Sequence, residues 1–139
     1  MTGRVRALVA AFPLACAALF AAAPPASAWE LAAEFQALLD EAGVPFYPNA
    51  THVWGDRLSG LKLMTADDVD VVRTWYLEQL PGWTAGVDKR GDWCMVEGPG
   101  ATSMDKVSHD YVCVRHDPDM APLFALPPEL TTYIIVNFR

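Results

Sequence analysis

The chain has 139 residues, of which 53% are hydrophobic, enough to form the core of one modest domain. It carries 17 acidic and 10 basic residues, which gives a net charge of −7 at pH 7. Nucleic acids and anionic membranes attract basic surfaces, so this acidic balance argues against both as partners.

The first 28 residues have the pattern of a secretory signal peptide. Arg4 and Arg6 precede an Ala-rich apolar stretch over residues 7–23, and Ala26-Ser27-Ala28 matches the small residues of a cleavage site. The stretch is shorter than the ~20 strongly apolar residues of a spanning helix, so we expect cleavage rather than anchoring. The mature protein is predicted to start at Trp29 and to be exported, periplasmic or secreted, in a bacterial envelope. Removing both arginines leaves eight basic against 17 acidic residues, a net charge of −9.

The mature sequence opens with an amphipathic helix pattern over residues 30–42. Its apolar stripe consists of Leu31, Phe35, Leu38, Leu39 and Ala42. Gly43 and the following Pro45 end this helix, and an extended connector is expected after them. Two short strands are predicted next, His52–Trp54 and Leu58–Met64, with a turn signal at Gly55-Asp56 between them.

A second helix is predicted to begin after residue 65. Thr65-Ala66-Asp67-Asp68 is a capping pattern, because the Thr65 hydroxyl can accept a hydrogen bond from an exposed helix N–H and the two acids favour the positive end of the helix dipole. The apolar positions then keep a three-four spacing: Val69, Val72, Trp75, Tyr76 and Leu80. Pro81-Gly82 ends the helix.

Beyond this helix the apolar period changes to two, which indicates strands. Four are predicted: Trp83–Val87, Gly91–Glu97, Tyr111–His116 and Thr131–Phe138. Four prolines make residues 117–129 an irregular crossover. The sequence therefore predicts one α+β domain over residues 29–139, with two helices packed on one face of a mainly antiparallel sheet of four to six strands.

Two cysteines are left after the predicted cleavage, because Cys16 lies inside the signal peptide. A lipoprotein with Cys16 at its cleavage point is disfavoured, since Pro13 stands where an apolar residue is expected. An oxidising compartment then predicts a disulfide between Cys94 and Cys113.

Direct pairing of these cysteines across an antiparallel hairpin also fixes the register of its two strands. Asp92 then lies opposite Arg115, and Arg90 lies opposite Asp117, which makes two pairs of opposite charge. One face of this hairpin is then apolar and the other is polar apart from the disulfide, as a sheet with helices on one side requires. The apolar face carries Trp93, Met95, Val112 and Val114.

Few side chains suggest catalysis or metal binding. His109 and His116 fall on opposite faces of one predicted strand, so they cannot share an ion. His52 with Glu97 is the metal-ligating alternative that stays open. No catalytic residue and no cofactor are assigned.

The tryptophans are the better candidates for a binding site, because five is a high number for a domain of this size. Trp75 and Trp93 fall on core-facing stripes and are predicted to pack in the core. Trp54 and Trp83 lie beside turns, and exposed indole rings can line an apolar or sugar-binding surface. We therefore take Trp54 and Trp83 as candidate ligand-binding residues on one concave surface.

A short motif, Tyr47-Pro48-Asn49-Ala50, is followed along the chain by Trp75-Tyr76 and by Leu80-Pro81-Gly82-Trp83. This arrangement resembles small secreted bacterial proteins of unknown function, in which a Tyr-Pro-Gly-Ala entry precedes a strand and a helix ends in an aromatic-Tyr pair before Leu-Pro-Gly-Trp. Asn49 stands here in place of the Gly. The resemblance covers roughly residues 46–83 and implies no particular activity.

The leading functional prediction is an exported, non-catalytic domain that binds a small ligand or an envelope protein partner. Two alternatives are kept open. One is a small periplasmic or secreted hydrolase or metal-dependent enzyme, and the other is a structural envelope accessory protein. Neither nucleic acid binding nor membrane insertion of the mature chain is expected.

Overall fold

A computed structural model describes residues 31–98 and 109–139. The predicted signal peptide, residues 1–28, lies outside these described residues. The helices are α1 (Ala33–Ala42), α2 (Val69–Gln79) and the short α3 (Met120–Leu123). The strands are β1 (Thr51–Asp56), β2 (Gly60–Thr65), β3 (Thr84–Val87), β4 (Trp93–Val96), β5 (Tyr111–His116) and β6 (Thr132–Asn137).

The six strands form one sheet in the order β1-β2-β6-β5-β4-β3, and every neighbouring pair is antiparallel. Strand β6 lies in the middle and pairs with β2 on one side and with β5 on the other. The outer strands are β1 and β3. This architecture confirms the predicted α+β fold with an antiparallel sheet, at the upper end of the expected strand number.

Helices α1 and α2 contribute to one hydrophobic core on one face of the sheet. From the helices, Leu39, Val72 and Tyr76 are buried in this core. The sheet contributes alternate residues of its central strands, as the period of two requires. These residues are Leu61, Leu63, Met95, Val112, Val114, Ile134 and Val136. We call this assembly the helix-side core.

The opposite face of the sheet is covered as well, which the sequence did not lead us to expect. Met64 and Tyr133 project from β2 and β6 on that face, where they pack with Ala121 of α3 and with Leu130. The polar second face expected for the β4–β5 hairpin therefore does not continue into this half of the sheet. The proline-rich crossover and α3 remove these apolar side chains from water. We call this second cluster the crossover-side core.

The β4–β5 hairpin has the predicted register. Cys94 lies directly opposite Cys113, and the two residues form a disulfide. Arg115 pairs with Asp92 at 3.7 Å, as expected, and with Asp117 at 3.0 Å. Asp117 thus pairs with Arg115 of the adjoining strand β5 and not with Arg90, as had been expected. Arg90 lies in the turn between β3 and β4.

The cap of α2 differs from the prediction by three residues. Asp68, not Thr65, is the N-cap, and its carboxylate accepts a hydrogen bond from the Asp70 N–H at 2.8 Å. The Thr65 hydroxyl instead accepts from the N–H of Asp67 at 3.2 Å. Helix α2 therefore begins at Val69.

Asp67 joins the extended connector before β1 to the start of α2. One of its carboxylate oxygens accepts from the Tyr47 hydroxyl at 2.5 Å and from the Asn49 amide at 2.8 Å. Its backbone carbonyl accepts from the Thr132 hydroxyl at 2.7 Å. The Tyr47 ring also makes an edge contact with Trp75, 5.2 Å between ring centroids. The Tyr-Pro-x-Ala motif is thus part of the packing of the domain.

We expect the free energy of unfolding to fall as the pH rises above about 10. Burial, followed by the hydrogen bond to Asp67, raises the pKa of Tyr47 above its ordinary value of 10.0. The unfolded chain therefore loses this proton first, and at high pH the folded state binds more protons than the unfolded state. Each such group lowers stability by up to about 1.4 kcal/mol per pH unit. Burial raises the pKa of Tyr76 in the same direction.

Urea unfolding of the wild type and of Tyr47→Phe between pH 8 and pH 11 measures this effect. The free energy of unfolding of the variant should fall less steeply above pH 10, because it lacks one of the hydroxyls whose pKa is raised in the folded state. Equal slopes for the two proteins would show that Tyr47 does not keep its proton in the folded state.

Candidate functional site

An aromatic cleft opens between the outer strand β1 and the part of the crossover that comes after α3. It has a volume of about 290 Å³. This is near the lower limit for small-molecule sites in proteins. The lining residues are His52, Val53, Trp54, Phe124 and Leu126. We call this site the β1 cleft.

An irregularity in β1 shapes the first wall of the β1 cleft. Thr51 pairs with Met64 and Trp54 pairs with Lys62, so two residues of β1, His52 and Val53, lie opposite one residue of β2. This is a β-bulge. Its extra residue leaves Val53 buried in the helix-side core, while Trp54 packs against the crossover-side core.

The backbone is strained in both segments that form the β1 cleft, at the lining residue His52 and at Ala125 between the lining residues Phe124 and Leu126. His52 has φ 56° and Ala125 has φ 54°, and these are the non-glycine residues with positive φ in the described part of the chain. The left-handed conformation costs an L-residue such as these roughly 1–2 kcal/mol. Strain of this kind occurs preferentially at binding and catalytic sites, where the surrounding structure maintains it.

The aromatic rings form a continuous layer from the crossover-side core to the cleft. Trp54 stacks on the buried Tyr133, with 6.0 Å between centroids and 22° between planes. Its other neighbour is Phe124, at 5.1 Å and 46°. Phe124 is 52% exposed and the preceding Leu123 is 77% exposed. The cleft therefore presents the aromatic surface of Phe124 to solvent, and the rings beneath it are packed against the crossover-side core.

His52 is the one ionisable residue among the five that line the cleft. Its Nδ1 atom lies 2.9 Å from the Thr51 hydroxyl oxygen, which fixes one edge of the ring. Nε2 is the other hydrogen-bonding atom of an imidazole. The site thus combines apolar walls with a single polar group.

Only one of the two tryptophans singled out from the sequence lines this cleft. Trp54 lies on β1, whereas Trp83 immediately precedes β3 at the opposite edge of the sheet and packs against the helix-side core. The expectation that Trp54 and Trp83 share one concave surface is therefore wrong. Phe124 and Leu126 complete the cleft, and their position in a proline-rich segment without periodicity gave no signal in the sequence.

The metal-ligating alternative is not supported by the positions of its two residues. His52 is on β1 and Glu97 follows β4, and strands β2, β6 and β5 lie between them. Among residues 31–98 and 109–139, no three His, Cys, Asp or Glu side chains converge as a metal site requires.

A second apolar hollow, of about 440 Å³, lies on the outer side of α2. It is lined by Asp70, Val71, Thr74, Trp75 and Glu78. All of this lining comes from a single helix, with an acidic residue near each end. The hollow lacks the two opposing walls and the backbone strain of the β1 cleft, so the β1 cleft is the better candidate site.

Comparison of the chain with models of known protein families, with curated proteins and with solved structures gives no match. The helices in the described ranges are also too short or too polar to cross a membrane.

Proposed function

We propose that this protein is an exported, non-catalytic domain that binds a small, largely apolar ligand in the β1 cleft. The observation that carries the proposal is a pair of residues with positive φ at a cleft with exposed aromatic surface: His52, which lines it, and Ala125, which lies in the chain between the lining residues Phe124 and Leu126. A strained backbone lowers the stability of the fold, and such strain occurs preferentially where a binding site must hold a fixed shape for its ligand. Leu123 and Phe124 also form a neighbouring pair of exposed large hydrophobic side chains, and contiguous exposed apolar surface is typical of binding sites.

The chemistry of the lining favours binding over catalysis. General acid–base and nucleophilic catalysis need a polar side chain that is positioned or activated by a second one. The β1 cleft offers the imidazole of His52, whose ring neighbour is a threonine hydroxyl rather than a carboxylate. Export is proposed on separate evidence, the signal peptide pattern and the disulfide.

Titration with a set of small apolar molecules tests this function, with binding followed by amide and indole N–H shifts in nuclear magnetic resonance spectra. We expect the shifted signals to cluster at residues 52–54 and 124–126. Phe124→Ser should weaken binding at least fivefold, because it removes an exposed wall without opening the core.

Leu77→Ser is the matched control, since Leu77 is 46% exposed on α2, away from the cleft. This variant should bind as the wild type does. Shifts that spread over α2, or equal losses in both variants, would contradict the proposed function.

A further inference from the structure

The lining of the β1 cleft also restricts what kind of molecule it holds. We infer that its ligand is an uncharged planar aromatic group of one or two rings that carries a single hydrogen-bonding substituent. This inference rests on the proposed function, because it assigns a ligand class to the same site.

The preference for an aromatic group follows from the two aromatic rings that line the cleft, Trp54 and Phe124. Phe124, which is 52% exposed, and the partly buried Trp54 lie 5.1 Å apart with 46° between their planes, so a ligand in the cleft meets two aromatic rings tilted against each other. Aromatic rings attract one another through their quadrupoles in such stacked and edge-to-face arrangements. A saturated ring of the same size buries similar area but lacks this attraction. The volume of about 290 Å³ accommodates one or two rings.

The preference for an uncharged group follows from the five lining residues that the structure describes, none of which carries a fixed charge. Val53, Trp54, Phe124 and Leu126 carry no charge, and His52 is the one ionisable residue there. A charged ligand loses hydration on entering an apolar cleft and recovers little of it without an opposite charge. The net charge of −7 further disfavours anions at a distance.

The single polar substituent follows from the environment of His52. Because Nδ1 is in contact with the Thr51 hydroxyl, Nε2 is the ring nitrogen that can form a hydrogen bond with a ligand. A hydroxyl can donate to this nitrogen or accept from it, so either tautomer suits a phenol-like group. A ligand with several polar groups would leave the others unsatisfied against apolar walls.

Three matched pairs of probes test these three properties on the full mature protein by the same spectroscopic titration. Phenol should bind about two- to tenfold more tightly than cyclohexanol, which has the same hydroxyl on a saturated ring. Benzyl alcohol should bind more tightly than benzoate. The ratio of phenol affinity to toluene affinity should fall about two- to tenfold in His52→Gly, because the partner of the phenol hydroxyl is gone.

Glycine is chosen at position 52 because it adopts the positive φ of His52 without strain, so the fold is retained. Cyclohexanol or benzoate binding in the cleft as tightly as its partner would overturn the ligand class while leaving the proposed function intact. An unchanged phenol to toluene ratio in His52→Gly would overturn the role of His52. Probes that shift no signal at residues 52–54 and 124–126 would overturn the function itself.

The proposed occupant is a free molecule, and an aromatic side chain of another protein is the alternative to be tested. A comparison of p-cresol with N-acetyltyrosinamide separates these sources. Tighter binding of the tyrosine derivative would overturn the free small ligand in favour of a protein segment, whose backbone amides can pair with the outer edge of β1. Tighter binding of p-cresol points to a free ligand. Failure of both to bind in the cleft would overturn the inference.

Discussion

Replacing Gly55 by alanine is expected to lower the free energy of unfolding by about 4 kcal/mol. Gly55 lies in β1 opposite Leu61 and has φ 115°, a conformation that an L-residue rarely adopts. A Cβ at this position would overlap the carbonyl oxygen of Gly60 across the hairpin. Because that atom is backbone, the overlap can be relieved only by moving the hairpin. Urea unfolding of the purified variant measures the loss.

Gly82→Ala is the matched control for this substitution. An added Cβ at Gly82 meets no atom within 4 Å, and Gly82 has no positive φ. Alanine there should leave stability unchanged or raise it by up to about 1 kcal/mol, because it restricts the unfolded chain. A Gly55→Ala protein with the stability of Gly82→Ala would contradict the described hairpin geometry.

Removing the disulfide with Cys94→Ala and Cys113→Ala together is expected to cost about 3 kcal/mol. The two cysteines are separated by 19 positions, and the cross-link lowers the conformational entropy of the unfolded chain between them. Both residues are buried, at 0% and 3% exposure, so a reductant reaches the bond only after the hairpin opens. Chemical denaturation of the oxidised wild type and the double variant gives the difference.

The reduced wild type provides the control for the volume lost in the double variant. It keeps both sulfur atoms and lacks only the covalent bond. A loss of about 3 kcal/mol in the reduced protein assigns the effect to the cross-link. A loss confined to the alanine variant would assign it to the cavity left by the sulfur atoms instead.

Much of this fold could be predicted because its signals are local. Strand β5 has the predicted bounds, Tyr111–His116, since its alternation is interrupted by no proline or glycine. The disulfide register also followed from the sequence, because opposed cysteines leave a single alignment of their two strands. The β1–β2 turn was displaced, however. Residues 57–59 form it, and Gly55 belongs to β1, where the need for glycine comes from close backbone approach rather than from the turn.

The candidate site was harder to predict because it depends on contacts between distant segments. Trp54 could be singled out by its position beside a turn. Phe124 and Leu126 could not, since nothing local indicates which face of the sheet a proline-rich crossover covers. The bulge at His52 was equally hidden, because it arises from pairing with β2 and not from any property of residue 52 itself. Trp83 has the same local signature as Trp54, yet tertiary packing places it at the other edge.

The central position of β6 has a consequence for the order of folding. Residues 51–65 can form one hairpin and residues 84–116 can form a three-stranded meander as soon as each has been synthesised. These two halves share no strand pairing with each other until Thr132–Asn137 enters between β2 and β5. The sheet is therefore complete only after Thr132–Asn137 has paired on both of its sides, although residues of both halves already share the helix-side core in the folded protein.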